Sequence, residues 1–317
     1  MEHLVYSLNS VLPLFVLVAL GYFLRRKGII QESFVTAGTK IGFQAALPVL
    51  LFQQVAQADL TTVFNPWLVA FAICAILATV LLLCLLIPLF VKGNPQRGAM
   101  IQGIYRGNFA ILGVPLAINM FGEAGAAPTS LLLPFTIPLY NLLAVIILTF
   151  FEPREGPRNR VDGKKILKGI VTNPLIIGIL LGLPFSLLHI QLPEMVERSL
   201  TGISSLATPL ALICLGGQFQ FQAARENLKL TLSAVLLKQL VLPAAALSLA
   251  VWMGFRGGEL GAVFILFMAP SAVSSYIMAK NMRSDSQLAA QILMGTTFVS
   301  PFTMCLGIYL LRSLGFL

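Results

Sequence analysis

Two runs in this sequence set anion-binding residue types beside residues that interrupt helices. The first is Arg106-Gly107-Asn108-Phe109-Ala110-Ile111-Leu112-Gly113-Val114-Pro115. Arginine offers forked donors suited to a carboxylate, asparagine caps helix ends, and Gly107 weakens a helix that Pro115 cannot close, because it has no N–H for the carbonyl of Ile111. The second run is Met268-Ala269-Pro270-Ser271-Ala272-Val273-Ser274-Ser275-Tyr276, in which Pro270 is followed closely by three serines. An interrupted helix offers unpaired N–H groups and the positive end of its dipole to whatever lies at the break, which favours an anion. Tyr140, Asn141, Lys238, Gln239 and Gln44 add polar side chains to apolar stretches nearby. Any one of Tyr140, Asn141, Gln239 and Gln44 is explained first as a helix–helix hydrogen bond and only second as a ligand contact, whereas for Lys238 snorkelling or a structural carbonyl contact stands level with a substrate role.

The elements that position these residues follow from composition. The chain has 317 residues, of which 57% are hydrophobic and only 10% charged, against roughly 25% charged in an average soluble domain. It reads as an all-α integral membrane protein with ten spans, near 5–25, 34–56, 66–91, 98–120, 128–150, 168–190, 199–220, 229–253, 259–280 and 287–311. At about 20 residues per span, little remains for a second folded module. The net charge of +9 does not point to nucleic acid, because the basic residues flank apolar spans, where they set topology beside anionic lipid. The first apolar run is preceded by no basic stretch and followed by Arg25-Arg26-Lys27, which reads as a first span rather than a cleaved signal.

With the N-terminus outside, sixteen Lys and Arg fall on the cytoplasmic side and three, Arg198, Arg256 and Arg312, outside. This asymmetry predicts that both termini face outward, and the expected location is the bacterial inner (plasma) membrane. A Pro-, Gly- and Arg-rich linker at 151–169 divides the chain into two five-span halves, 1–150 and 170–317. Pro13-Leu14 reappears as Pro174-Leu175, and Ala46-Leu47-Pro48 as Ala207-Thr208-Pro209, 161 residues on each time. Because five spans separate equivalent elements, the halves must insert with opposite topology, as in secondary transporters. The two interrupted helices are then spans four and nine, broken at equivalent depth.

The runs RGNFAILGVPLA, APSAVSSYIMAK, LPLYN around Tyr140 and TPLALICLGG from Thr208 to Gly217 together resemble the auxin efflux carrier family, which includes bacterial malonate-type carriers. The resemblance covers essentially the whole chain. It implies a bile-acid-symporter-like, NhaA-like fold in which broken helices 4 and 9 cross. A scaffold domain would consist of helices 1, 2, 6 and 7, and a transport domain of helices 3–5 and 8–10. It also implies a homodimer through the scaffold helices and an elevator-type motion. Two residues depart from the family pattern, Gln44 and Ser274, where asparagine is expected; both bear on substrate identity more than on fold.

The remaining inventory narrows the chemistry. All twelve acidic residues lie in connections or at span ends, so no buried carboxylate is available as a proton relay or sodium ligand. Cys74, Cys84, Cys214 and Cys305 lack metal or disulfide spacing and read as small core residues, and no imidazole falls inside a span. An intramembrane enzyme therefore has no catalytic set, and no metal or cofactor is expected. Arg106 and Lys238 each sit nine residues past a basic residue, Arg97 and Lys229, about 13 Å along a helix, within snorkelling reach of the cytoplasmic face. The expected function is secondary or potential-driven transport of a small carboxylate, with Arg106, Asn108, Pro115, Tyr140, Asn141, Lys238, Gln239, Pro270, Ser271, Ser274, Ser275 and Gln44 as candidate substrate contacts. The alternative is a sodium-coupled symporter of the bile-acid type.

Overall fold

The computed structural model describes residues 16–57, 65–109, 113, 116–118, 120–122, 127–153, 167–168, 171–218 and 227–317. Pro13, Pro115 and most of the 151–169 linker lie outside the described residues. The described chain is helical: α1 (16–26), α2 (Glu32–Ala56), α3 (Pro66–Phe90), α4 (Asn94–Tyr105), α5 (Ala127–Phe150), α6 (Pro174–Leu187), α7 (Glu194–Gly217), α8 (Leu228–Trp252), α9 (Gly257–Met268), α10 (Val273–Asn281) and α11 (Ser286–Ser313). Among them six, α2, α3, α5, α7, α8 and α11, are long and apolar enough to cross a membrane, and α6 and α9 are shorter apolar helices. The protein is thus a multi-pass helical membrane protein. Exposed leucines along α3, such as Leu81, Leu85 and Leu89, follow from this, since hydrocarbon is as apolar as the side chains it meets.

Helix starts are set by side chains that take orphan N–H groups. The Asn65 side chain accepts from the N–H groups of Trp67 and Leu68 at 3.1 and 3.2 Å, Asn173 from Leu175 at 3.0 Å, and Asp285 from Leu288 at 2.8 Å. Pro66 and Pro174 follow the first two caps, where the missing N–H is no loss. Two helices carry a π-helical turn, Gly42–Ala46 in α2 and Leu237–Val241 in α8, each followed closely by a proline, Pro48 or Pro243.

The buried residues fall into two clusters. One joins α3, α4, α8, α9 and much of α11, around Phe109, Phe264 and Tyr105; the other joins α2, α6 and α7 with α10. Glycines let backbones approach in the second. A Cβ added at Gly178 or Gly182 would run into the carbonyl of Pro48 or Phe52 on α2, and one at Gly21 or Gly216 would close the gap between α1 and α7. The Gly178/Gly182 pair therefore serves packing within the chain, as small residues do between membrane helices.

Candidate functional site

The two interruptions expected from sequence are real, and they lie against each other. Helix α4 stops at Tyr105, while α9 stops at Met268 and α10 restarts at Val273. The gap segments pair as an antiparallel bridge between Gly107 and Ser271. The Asn108 N–H donates to the Pro270 carbonyl at 2.7 Å, and the Ala272 N–H to the Arg106 carbonyl at 3.2 Å. Backbone groups released by the breaks thus satisfy one another, as burial requires. The approach is close enough that a Cβ at Gly107 would lie 3.1 Å from the Leu266 carbonyl. Ser271 completes the seam: its hydroxyl donates to the Gly103 carbonyl at 2.5 Å, and its N–H is taken by Thr296 of α11 at 3.1 Å.

Serine, like asparagine, is a residue type that caps helix starts. Ser271 does not cap α10, whose N-cap is Ala272 with no side-chain cap; it closes the C-terminal end of α4 instead. The Ser275 N–H donates to the Ala272 carbonyl at 2.9 Å, which leaves the N–H groups of Val273 and Ser274 without a partner among the described residues. Phe109 is helical, but residues 110–112 that an Asn108 cap would serve lie outside the described residues.

In front of the seam is a cavity of about 240 Å³, lined on one side by Arg106, Gly107, Asn108, Tyr140, Asn141 and Ser274 and on the other by α2 and α7. Drug-sized ligands occupy pockets of about 300–1,000 Å³, so this one suits a smaller molecule. Arg106 is only 4% exposed. Its guanidinium donates to the Asn141 side-chain oxygen at 2.6 Å and to the Met278 sulfur at 2.7 Å, and among the described residues no carboxylate lies within ion-pair distance. Asn141 is held in turn by donating to the Ile137 carbonyl at 2.8 Å. The amide of Asn108 makes no side-chain hydrogen bond to a described residue and borders the cavity. Tyr140, buried behind Arg106, packs edge-on against Tyr105, which donates to the Tyr140 carbonyl at 3.0 Å.

Of the twelve candidate residues, Arg106, Asn108, Tyr140, Asn141 and Ser274 line the cavity together. Pro270 and Ser271 build the seam behind it. The Ser275 hydroxyl is buried nearby without a hydrogen-bond partner among the described residues, and Pro115 lies outside the described residues. Gln44 is exposed and off the cavity. Lys238 and Gln239 also miss it. They are buried in the π-turn of α8, where Gln239 accepts from Thr303 at 2.8 Å and the Lys238 amine has no partner among the described residues. Lys238 does not snorkel: it is 0% exposed. The sequence reading missed Gln54, Ser204, Ser205 and Thr208, which form the polar part of the opposite wall. Thr208 had a signal, because it stands in the repeated Ala-x-Pro segment that pairs with Leu47, another lining residue. The cysteines are free, but only Cys214 is buried.

A membrane protein whose interrupted helices enclose a small cavity around an unpaired cation has the features of a transporter of small solutes. The chain belongs to the membrane transport protein, or auxin efflux carrier, family, whose model matches residues 6–308. It is therefore a transporter and not an enzyme. It is 27% identical to an uncharacterized transporter of Methanocaldococcus jannaschii, over 92% of this chain and 94% of that protein. A Rhizobium meliloti transporter provisionally named for malonate is 24% identical, over 96% and 95% of the two chains. Auxin efflux carrier component 5 of Arabidopsis thaliana is 24% identical over 55% of this chain and 58% of its own.

Proposed function

We propose that the protein carries a small organic anion, a carboxylate, through the membrane by alternating exposure of the cavity beside the Arg106–Asn108 and Ala272–Ser274 segments. The observation that carries this reading is Arg106, a buried guanidinium whose partners are an amide oxygen and a thioether. Removing a cation from water costs several kcal/mol unless an opposite charge compensates. A carboxylate in the cavity supplies that charge and takes the guanidinium fork, with the Asn108 amide and the uncapped start of α10 as further donors.

The relatives named for malonate and auxin support a carboxylate. Packing supports two inverted repeats, 1–150 and 170–317: Gly21 approaches the Ile213 backbone and Gly182 the Phe52 backbone, and both partners are related by the same 161-residue step. On this reading α1, α2, α6 and α7 form a scaffold that also makes a homodimer, the remaining helices form the moving body, and the cavity lies between them. Both termini face outward from a bacterial-type plasma membrane.

The test is ligand-induced thermal stabilisation of purified protein by acetate, propionate and lactate, followed by counterflow in proteoliposomes. Saturable stabilisation that disappears in Arg106→Gln is expected, together with saturable counterflow. An Arg106→Gln protein that binds these acids like the parent refutes the assignment.

A further inference from the structure

The two walls of the cavity differ in what they offer a ligand. The wall from α4, α5 and α10 carries Arg106, the one charged residue among the described residues lining the space. The facing wall, from α2 and α7, is neutral, with Leu47, Leu50 and Leu51 surrounding Gln54 and Thr208. Two serines on that wall are already engaged: Ser204 donates to the Thr201 carbonyl at 3.2 Å and Ser205 to that of Gly202 at 2.9 Å. Neither Gln54 nor Thr208 makes a side-chain hydrogen bond to any described residue, although Gln53, one position away, is used at 3.0 Å by Thr201. Polar side chains that border a largely apolar space and lack protein partners are groups that water or a ligand must satisfy.

Resting on the anion reading above, we infer that the substrate is a singly charged carboxylate bearing a neutral hydrogen-bonding substituent, a hydroxyl, keto or amide group, and that Gln54 and Thr208 recognise that substituent. The charge count sets the first half. One guanidinium compensates one carboxylate, and a second would face leucines and neutral side chains with no counter-charge, where desolvation is unfavourable. The wall chemistry sets the second half. Gln54 and Thr208 can each donate and accept, which suits a hydroxyl or carbonyl, and an unsubstituted acid would leave both unsatisfied. A site that hydrogen-bonds a substituent discriminates strongly against the analogue lacking it.

The experiment compares matched acids on the full-length protein in nanodiscs: glycolate with acetate, lactate with propionate, and malonate as the doubly charged probe. The hydroxy acid is expected to bind about tenfold or more tightly than its unsubstituted partner, and malonate at neutral pH more weakly than either hydroxy acid. Gln54→Leu and Thr208→Val should each reduce the hydroxy-acid preference severalfold while acetate and propionate bind at least as tightly as to the parent, because the unsatisfied group they leave is gone; that also reports that the cavity is intact. The inference is overturned if malonate binds as tightly as lactate, if both variants keep the parental preference, or if both lose acetate and propionate together with the hydroxy acids. If none of the five acids binds the parent, the anion reading itself fails, a result separable from binding without discrimination.

Discussion

Arg106 contributes its charge at a cost to the empty protein. A buried cation without a carboxylate partner weakens the fold, so Arg106→Gln should raise the melting temperature of ligand-free protein, a gain of roughly 1 kcal/mol or more, while abolishing stabilisation by carboxylates. Differential scanning fluorimetry reads both effects in one experiment, and a melting temperature lowered by the substitution would mean that the guanidinium is structurally satisfied. Asn108→Ala removes one donor from the same wall and should weaken carboxylate binding by about 1 kcal/mol, near fivefold in affinity by titration. Both residues were legible in the sequence because arginine, glycine and asparagine side by side in a hydrocarbon span have few structural explanations. Gln54 and Thr208 were not: a glutamine or threonine on an amphipathic helix is ordinary, and only the packing of α2 and α7 against α10 turns these two toward Arg106. Gln44 is exposed and off the cavity; it lies in the π-turn of α2, whose extra residue rotates the face that follows by about 100°, a local change that residue spacing does not announce.

Breaks and close approaches are the devices that matter for whole helices. The ends of α4 and α9 could be read from Gly107 and Pro270, since those residues act locally. Their mutual pairing could not, because the Asn108 to Pro270 hydrogen bond joins positions 162 residues apart. Gly107 is where that pairing is tightest. A Cβ there meets the Leu266 carbonyl at 3.1 Å and Ala269 at 3.3 Å, so Gly107→Ala should loosen the seam by about 1–3 kcal/mol and weaken ligand binding in parallel, measured by thermal unfolding and titration of the same sample. Gly178→Val acts elsewhere. Its side chain collides with the backbone of Pro48 and should lower stability by a similar amount, about 1–3 kcal/mol, yet spare the affinity of whatever protein remains folded. The pair of variants separates a contact that shapes the cavity from one that only holds α2 against α6.

At the scale of the whole molecule the open question is orientation, and the inverted-repeat reading makes it decidable. Sixteen basic residues sit on one predicted face against three on the other, and the positive-inside rule then predicts a cytoplasmic 151–169 linker. The packing of Gly21 on Ile213 and of Gly182 on Phe52 supports the same reading, because equivalent elements of the proposed halves, an odd number of spans apart, would be inserted in opposite senses. Single cysteines placed between Glu155 and Asp162, in a background where Cys74, Cys84, Cys214 and Cys305 are replaced, should react with a membrane-impermeant maleimide only in inside-out vesicles. Cysteines at Glu194 or Glu123 should react only in intact cells. Because Glu194 begins α7 and α6 alone spans the distance from the linker to it, opposite accessibility of the two positions also tests whether α6, whose apolar helix is just 14 residues long, crosses the bilayer. Labelling of the linker and Glu194 from the same side would remove that crossing, make the number of spans between equivalent elements even, and with it end the case for two inverted halves around the Arg106 cavity.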